Sequence, residues 1–179
     1  MKKTIILFLI MVQYVFSNCI VDDDIMLSIL IKEREHKRSI GYEFLISFNN
    51  EDDAKLIRKD TSLKKMFLNN RTMDCKNRSN CAEVLKKILQ KNIRNLDVGA
   101  YQANTVYHLN SFNNYEDIFN LDKSYNFACN YVMSKINKLG YSWESIAAYH
   151  SETPEFNTKY KNELIDIYTM VVALKSRKI

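Results

Sequence analysis

Glycine and proline are scarce in this sequence, which has three glycines and one proline among 179 residues. The glycines do not form a phosphate-binding loop, and no Gly-x-Ser-x-Gly segment is present, which argues against nucleotide-binding and serine-hydrolase sites. The three histidines, likewise few, lack the spacing of metal ligands. The sequence therefore predicts neither a metal site nor a cofactor.

The excess of one sign of charge is also small, because 26 basic and 21 acidic residues leave a formal net charge of +5. That mild excess suits an anionic polymer or surface, but it is too small to indicate nucleic-acid binding. Leucine, isoleucine and aromatic residues are plentiful enough to build a core. No repeat, low-complexity linker or second domain is evident, so we expect one domain over residues 18–179.

Residues 1–17 have the organisation of a signal peptide. Lys2 and Lys3 form a basic start, an apolar stretch covers residues 5–12, and Ser17 fits the small residue of a cleavage site. An uncleaved anchor is the alternative, but the apolar stretch is short for a spanning helix and acidic residues follow it. We expect export and no stable membrane span after cleavage. Loss of the two lysines lowers the net charge from +5 to about +3.

The cysteines that remain after this cleavage are Cys19, Cys75, Cys81 and Cys129. An even number in an exported chain favours disulfides over metal binding, although a zinc site is the rival interpretation. One of the three possible pairings joins two short-range partners, Cys75 and Cys81, and leaves the other two cysteines to form a long-range bridge. The sequence leaves the choice among the pairings open.

Hydrophobic periodicity predicts a mainly α protein with a small β component, in the α+β class. The expected elements are helices over residues 22–37, 52–59, 81–90, 124–139, 142–149 and 157–174, and strands of a small hairpin over residues 42–49 and 63–72. Ser124 and Ser142 are predicted to begin two of these helices. Gly140 is predicted to end one, and Pro154 is expected to break the helix that Ser142 begins.

The polar segment from Asn95 to Asn104 combines a scarce glycine, Gly99, with the amide side chains of Gln102 and Asn104. We expect a loop in which Gly99 meets a specific backbone requirement. If the segment is extended, both amides project to the same side. Amide groups offer donors and acceptors without charge, which suits a sugar ligand. A polar loop that binds nothing is the alternative interpretation.

Glu33 is the strongest candidate for acid–base chemistry. It follows Met26, Ile29 and Leu30 at helical spacing, near the middle of the apolar stripe of the first helix. A carboxylate there is costly unless it is paired or protonated, and a protonated carboxyl group is what a general acid needs. The alternative is that Glu33 lies just beyond the buried part of the stripe and pairs with a lysine.

Tyr149 and His150 precede Pro154 in a second segment of interest. Tyr149 can donate a hydrogen bond to a substrate, but a tyrosine after two alanines on a helix is more commonly a core residue. Adjacent residues on a helix do not face each other, so His150 and Ser151 do not indicate a nucleophile pair.

Glu33, the Asp-x-Gly-x-x-Gln-x-Asn segment over residues 97–104 and the Tyr-His-Ser-x-Thr-Pro stretch over residues 149–154 occur in one order. This order resembles the soluble-type lytic transglycosylases. The similarity covers about residues 25–168 and is greatest to small exported members associated with secretion systems and cell-wall remodelling. It implies a lysozyme-like helical domain with a small β-hairpin.

The resemblance implies an enzyme that cleaves the β-1,4 bond between N-acetylmuramic acid and N-acetylglucosamine in peptidoglycan and leaves a 1,6-anhydro end. Glu33 matches the single catalytic acid/base of such enzymes. The other matching positions are Gln102, Asn104, Tyr149 and His150 as substrate-binding residues, Asp97 and Gly99 as loop-shaping residues, and Cys19 with Cys129 as a disulfide. The implied partners are peptidoglycan strands and a secretion or appendage machine of the cell envelope, and the implied location is the periplasm.

The sequence departs from this family at Arg34, where most members have serine directly after the catalytic glutamate. Adjacent helix residues diverge, so Arg34 is expected to point away from Glu33. A catalytically weak peptidoglycan-binding or secretion-assembly protein with the same fold is therefore one alternative. A hydrolysing muramidase with Asp97 as the water-activating carboxylate is another, and a disulfide-stabilised helical protein of unrelated function is a third.

Overall fold

The computed structural model describes residues 19–34 and 43–177. It is mainly α-helical and contains a small four-stranded antiparallel sheet. The predicted class, a mainly α protein with a small β component, is therefore confirmed. The predicted signal peptide lies outside the described residues. The chain divides into two compact units, which we call the terminal unit (Met1–Lys32 with Tyr125–Ile179) and the central unit (Glu33–Ser124).

Short polar side chains begin several of the helices. The elements in chain order are α1 (Asp23–Glu33), β1 (Leu45–Phe48), α2 (Glu51–Ile57), α3 (Thr61–Lys64), β2 (Thr72–Asp74), α4 (Arg78–Gln90), β3 (Leu96–Val98), β4 (Ala103–Asn104), α5 (Thr105–His108), a 3-10 turn (Leu109–Ser111), α6 (Tyr115–Ile118), α7 (Leu121–Leu139), α8 (Trp143–Ala147) and α9 (Pro154–Ser176). The side chains of Asn50, Asn77 and Ser142 accept hydrogen bonds from backbone N–H groups in the first turns of α2, α4 and α8. These bonds satisfy donors that a helix cannot satisfy internally, and so they fix where each helix starts.

The sheet of the central unit has the strand order β2-β1-β3-β4, and each neighbouring pair is antiparallel. Ile46 of β1 pairs with Met73 on one side and with Val98 on the other. These three side chains are buried in one hydrophobic cluster with Leu85 and Ile88 of α4. The apolar face of α4 therefore supports the sheet from which the β3–β4 turn projects.

The predicted strand over residues 63–72 is wrong. The Thr61–Lys64 segment is the short helix α3, because the Asp60 carboxylate accepts hydrogen bonds from the backbone N–H groups of Ser62 and Leu63. The strand that pairs with β1 is β2, which begins only at Thr72. A side-chain cap therefore outweighs the weak strand pattern of this stretch.

The predicted cap at Ser124 is also wrong. The helix α7 begins at Leu121, and the side chain of Asn120 accepts a hydrogen bond from the backbone N–H of Lys123 at 3.0 Å. Ser124 is buried within the first turns of the helix. An asparagine at the start of the segment thus supplies the cap that the sequence pattern assigns to the serine.

The terminal unit combines α1, most of α7, α8 and α9. Residues 25–31 of α1 are all buried. Gly140 follows the end of α7 with a φ of +83°, as its predicted role requires. Ser142 begins α8 through reciprocal hydrogen bonds with Ser145. Pro154 does not end α8, which stops at Ala147, but is the first residue of α9, where the missing N–H of proline costs nothing.

Each unit contains a disulfide. Cys19–Cys129 joins the segment before α1 to the middle of α7 within the terminal unit. Cys75–Cys81 joins the residue after β2 to α4 within the central unit. All four cysteines are therefore paired, and none of them is available to hold zinc. Over the ranges that the structure describes, no helix is long and apolar enough to span a membrane.

Candidate functional site

The Asn95–Asn104 segment is a β-hairpin and not the loop predicted from its polarity. The strands β3 and β4 pair antiparallel, with Asp97 opposite Asn104. Between the strands, Gly99 and Gln102 have positive φ values of +77° and +47°. The chain turns at Gln102, so Gln102 and Asn104 do not belong to one extended strand. The condition under which both amides would project to the same side is therefore not met.

Gly99 is required at this turn for two separate reasons. Its φ of +77° lies in the left-handed region, which residues with a Cβ atom rarely adopt. In addition, a Cβ atom at this position would lie 2.5 Å from the carbonyl oxygen of Ile118. The backbone N–H of Gly99 donates to the Leu45 carbonyl at 2.9 Å, which ties the turn to β1. Gly99 therefore allows the hairpin to pack closely between β1 and the end of α6.

Gly99→Ala is expected to lower the free energy of unfolding by about 3 kcal/mol or more, because a backbone clash adds to the cost of the left-handed conformation. Gly140→Ala is the matched control, since Gly140 has a φ of +83° but nothing lies within 4 Å of the added Cβ. Gly140→Ala is therefore expected to lower the free energy of unfolding by only about 1–2 kcal/mol, through conformational strain alone. Chemical denaturation measures both losses, and equal losses would contradict the close approach to Ile118.

Gln102 is held by the turn that it helps to form. Its backbone N–H and its side-chain Nε2 both donate to the Gly99 carbonyl oxygen, at 3.2 and 2.8 Å. These bonds orient the side chain, which is half-buried. Its Oε1 atom accepts no hydrogen bond from the residues that the structure describes. This oxygen can therefore accept a hydrogen bond from a ligand at little cost in side-chain entropy.

Both polar atoms of the Asn104 side-chain amide form hydrogen bonds within the protein. Its Nδ2 donates to Asp97 Oδ1 at 2.8 Å and to Asn95 Oδ1 at 3.0 Å. Its Oδ1 accepts from the Val106 backbone N–H at 3.0 Å and so caps α5. Asn49 Nδ2 donates to Asp97 and Asn95 as well. These bonds fix the hairpin and the start of α5, which is a loop-shaping role for both Asp97 and Asn104.

Glu33 is the last residue of α1 and is half-buried. It follows the fully buried residues 25–31 of that helix, so it lies at the end of the apolar stripe and not in its middle. This is the alternative position considered from the sequence. Glu33 belongs to the central unit, which also contains the hairpin.

Arg34 directly follows α1 and is a buried residue of the central unit. Its side chain is only 1% exposed, and its Nη2 atom lies 3.6 Å from Glu43 Oε1. Burial lowers the pKa of the Arg34 guanidinium, and interactions with Glu43 and with the buried Tyr101 oppose that shift. Tyr101 immediately precedes Gln102 in the hairpin turn. The residue after Glu33 and the residue before Gln102 are therefore both buried in the central unit, within range of each other's electrostatic influence.

Tyr149 and His150 belong to the terminal unit. Tyr149 is 8% exposed and packs edge-on against Tyr131, with ring centres 5.6 Å apart. The His150 ring stacks parallel to the Tyr160 ring, with centres 4.7 Å apart and an interplanar angle of 3°. Both side chains thus have aromatic neighbours within their own unit, which restrict their orientations.

The sequence does not identify Asn49 and Asn95 as residues whose hydrogen bonds hold the hairpin, and it does not indicate that Arg34 is buried. Asn49 ends the first predicted strand and Asn95 begins the polar segment, but their bond joins residues 46 positions apart, which local patterns do not indicate. The burial of Arg34 has no local signal, since it depends on Glu43 and Tyr101, which lie farther along the chain.

No group of three His, Cys, Asp or Glu side chains suited to a metal ion occurs within residues 19–34 and 43–177. Comparisons with models of protein families, with curated proteins and with solved structures give no match to this chain.

Proposed function

We propose that this protein is a peptidoglycan lytic transglycosylase with a lysozyme-like fold and with Glu33 as its single catalytic acid/base. The observation that carries the proposal is the location of Glu33 and Gln102 in one compact unit, in which their buried neighbours Arg34 and Tyr101 influence each other electrostatically. It supports the presence of a carboxyl group and an orienting amide oxygen at one location in the central unit. Acid-catalysed cleavage of a glycan needs both a proton donor and a group that orients the sugar.

In the proposed reaction, Glu33 donates a proton to the glycosidic oxygen as the bond from that oxygen to C1 breaks. The acetamido group of the sugar stabilises the oxocarbenium-like state, so a second carboxylate is not needed. The C6 hydroxyl of the same sugar then attacks C1 and transfers its proton to Glu33, which closes the 1,6-anhydro ring and restores the acid. Gln102 Oε1 accepts a hydrogen bond from the substrate and orients it.

We propose the periplasm as the site of action, after removal of residues 1–17. The two disulfides support an oxidising compartment. Tyr149 and His150 of the terminal unit remain proposed substrate-binding residues, and Asn104 of the central unit is proposed to act mainly by holding the hairpin. A secretion or appendage machine of the cell envelope is the proposed partner that directs the enzyme to its place in the wall.

A catalytically weak glycan-binding protein is the second candidate, and the burial of Arg34 favours it. Water screens a buried positive charge poorly, so the charge disfavours protonated carboxyl groups nearby. General acid catalysis requires such a protonated group. In this second candidate, the same hairpin and the same fold would bind peptidoglycan without efficient cleavage.

Product analysis tests the proposal. The mature protein is incubated with purified peptidoglycan sacculi, and the soluble products are identified by mass spectrometry. The proposal predicts 1,6-anhydromuropeptides. Products with ordinary reducing ends would instead indicate a hydrolysing muramidase, and retention on sacculi without products would favour the second candidate. A protein that neither binds nor cleaves sacculi would contradict both candidates.

A further inference from the structure

Positive charge is concentrated in one part of the central unit. Residues 54–94 contain twelve basic and three acidic residues. The whole chain has a formal net charge of only +5, so the remaining residues carry an excess of negative charge. The segment includes the end of α2, all of α3 and all of α4. A localised positive surface therefore exists that the net charge of the chain does not indicate.

The helices α2, α3 and α4 cover the same face of the sheet. Their buried residues Ile57, Leu63 and Leu85 belong to one hydrophobic cluster with Ile46 and Phe48 of β1. Ile46 and Phe48 are two positions apart on a strand, so their side chains project to one face of the sheet. The sides of the three helices that point away from this cluster therefore form an outer surface of the central unit.

Six lysines with exposed side chains lie on this outer surface, which we call the basic face: Lys59, Lys64, Lys65, Lys86, Lys87 and Lys91. None of the six forms an ion pair with a residue that the structure describes. The exposed acidic residues of the segment are Asp60 and Glu83. Two carboxylates cannot neutralise six ammonium groups, so the basic face keeps an excess of positive charge.

The parts of the basic face on α3 and on α4 adjoin each other. Hydrogen bonds from Ser62 lower the pKa of the Asp60 carboxyl group, and the positive charge of Lys87 lowers it further. Asp60 caps α3 and Lys87 lies on α4. The lysines of these helices therefore act on a partner as one charged surface and not as separate sites.

The basic face lacks the groups that recognise bases or sugars. Phe67 is the only aromatic residue of residues 54–94, and its ring stacks on Phe48 with centres 5.7 Å apart. The guanidinium of Arg58 covers this ring at 4.6 Å and donates to the Asn69 carbonyl oxygen at 2.6 Å. No exposed ring is therefore present in the segment for stacking. Lysine ammonium groups are mobile point charges, which suit a diffuse anionic surface.

We propose that the basic face is a docking surface for an anionic phospholipid bilayer. Charges that are spread over three helices match a planar surface, whereas a small anion can contact only one or two of them. Leu56 adds an apolar group, because it is 46% exposed and lies three positions before Lys59. Basic residues combined with an exposed apolar side chain are typical of proteins that lie on a membrane. This inference goes beyond the proposed function and does not depend on cleavage of peptidoglycan.

Binding to lipid vesicles tests the docking surface. The mature protein is sedimented with vesicles of phosphatidylcholine mixed with phosphatidylglycerol, and with vesicles of phosphatidylcholine alone. Sacculi freed of lipid form a third probe, which carries the anionic groups of the wall without a bilayer. We expect binding to the anionic vesicles that weakens as salt is added, because salt screens exposed charges. Circular dichroism checks that each variant is folded.

Lys86→Gln/Lys87→Gln is expected to weaken binding to the anionic vesicles about 25-fold, or about fivefold for each lysine that reaches the surface. Lys86→Arg/Lys87→Arg keeps both charges and should retain binding. Lys138→Gln/Lys159→Gln is the matched control, since it removes two exposed lysines of the terminal unit and changes the net charge equally. A change of less than about twofold is expected for this control, because it leaves the basic face intact.

Equal losses in the two glutamine variants would show that net charge alone attracts the protein, and would overturn the basic face. Equal binding to neutral and anionic vesicles, or none to either, would overturn it as well. If Lys86→Gln/Lys87→Gln weakened binding to sacculi and not to vesicles, the wall would replace the membrane as the partner. Release of anhydromuropeptides from lipid-free sacculi should be unchanged in this variant, so the vesicle result stands apart from the proposed activity.

Discussion

Glu33→Gln is expected to reduce the release of anhydromuropeptides from sacculi by about 10³-fold, within the range that general acid–base catalysis contributes. Glutamine has nearly the same shape as glutamate but can neither protonate the glycosidic oxygen nor take the proton of the C6 hydroxyl. Because Glu33 is half-buried at the end of α1, the neutral isostere should leave the fold and the binding of sacculi intact. The initial rate of product release, followed by mass spectrometry, measures the effect.

Two further variants define what the Glu33 result means. Glu83→Gln changes an exposed glutamate on α4 of the same unit and should leave the rate unchanged. Asp97→Asn tests for a second catalytic carboxylate, and a modest loss is expected because Asp97 accepts hydrogen bonds from Asn49 and Asn104 that hold the hairpin. If Asp97→Asn were as damaging as Glu33→Gln and the products had reducing ends, the muramidase mechanism would replace the one proposed here. Full activity of Glu33→Gln would exclude Glu33 as the acid.

Features that depend on neighbouring residues could be predicted from the sequence. Gly140 ends α7 and Ser142 begins α8, because a left-handed residue and a side-chain cap are both local requirements of a helix. The need for glycine at position 99 could be inferred from its scarcity elsewhere. Its partner in the close contact, the Ile118 carbonyl, could not be inferred, because that contact joins segments that are distant in the sequence.

The sheet was harder to predict, since strand pairing depends on residues that are distant in the sequence. The stretch before β2 has apolar residues at suitable spacing, but the Asp60 cap makes its first part helical. The segment from Asn95 to Asn104 was expected to be a loop because it is polar. It forms β3 and β4 because Val98 pairs with the buried Ile46 of β1, while its polar residues bond to one another.

In the candidate site, too, the features set by neighbouring residues could be predicted, whereas those set by distant residues could not. Helical spacing predicts that Glu33 lies near the middle of the apolar stripe of α1, but in the fold the buried stripe ends just before it. Arg34 was expected to point away from Glu33. Its burial in the central unit was not expected. Arg34 is buried beside Glu43, and the buried Tyr101 of the hairpin turn influences its charge, so the departure from the family pattern at this position places a buried cation in the central unit.

The terminal unit also depends on distant residues, because it is built from two parts of the chain that are separated by the whole central unit. Its assembly must close a long loop, which opposes folding through the loss of chain entropy. The Cys19–Cys129 disulfide connects these two parts, with a sequence separation of 110 residues. The bridge restricts the unfolded chain and so reduces the entropy that is lost when α1 and α7 come together.

The double variant Cys19→Ala/Cys129→Ala is therefore expected to lower the free energy of unfolding by about 4–5 kcal/mol. Cys75→Ala/Cys81→Ala is the matched control, because its bridge has a sequence separation of only 6 and loop closure there contributes about 2 kcal/mol. Chemical denaturation measures both losses, and amide hydrogen exchange locates them, with faster exchange in α7 for the first variant and in α4 for the second. Equal losses would contradict the loop-closure argument and would show that local packing around each bridge decides its contribution.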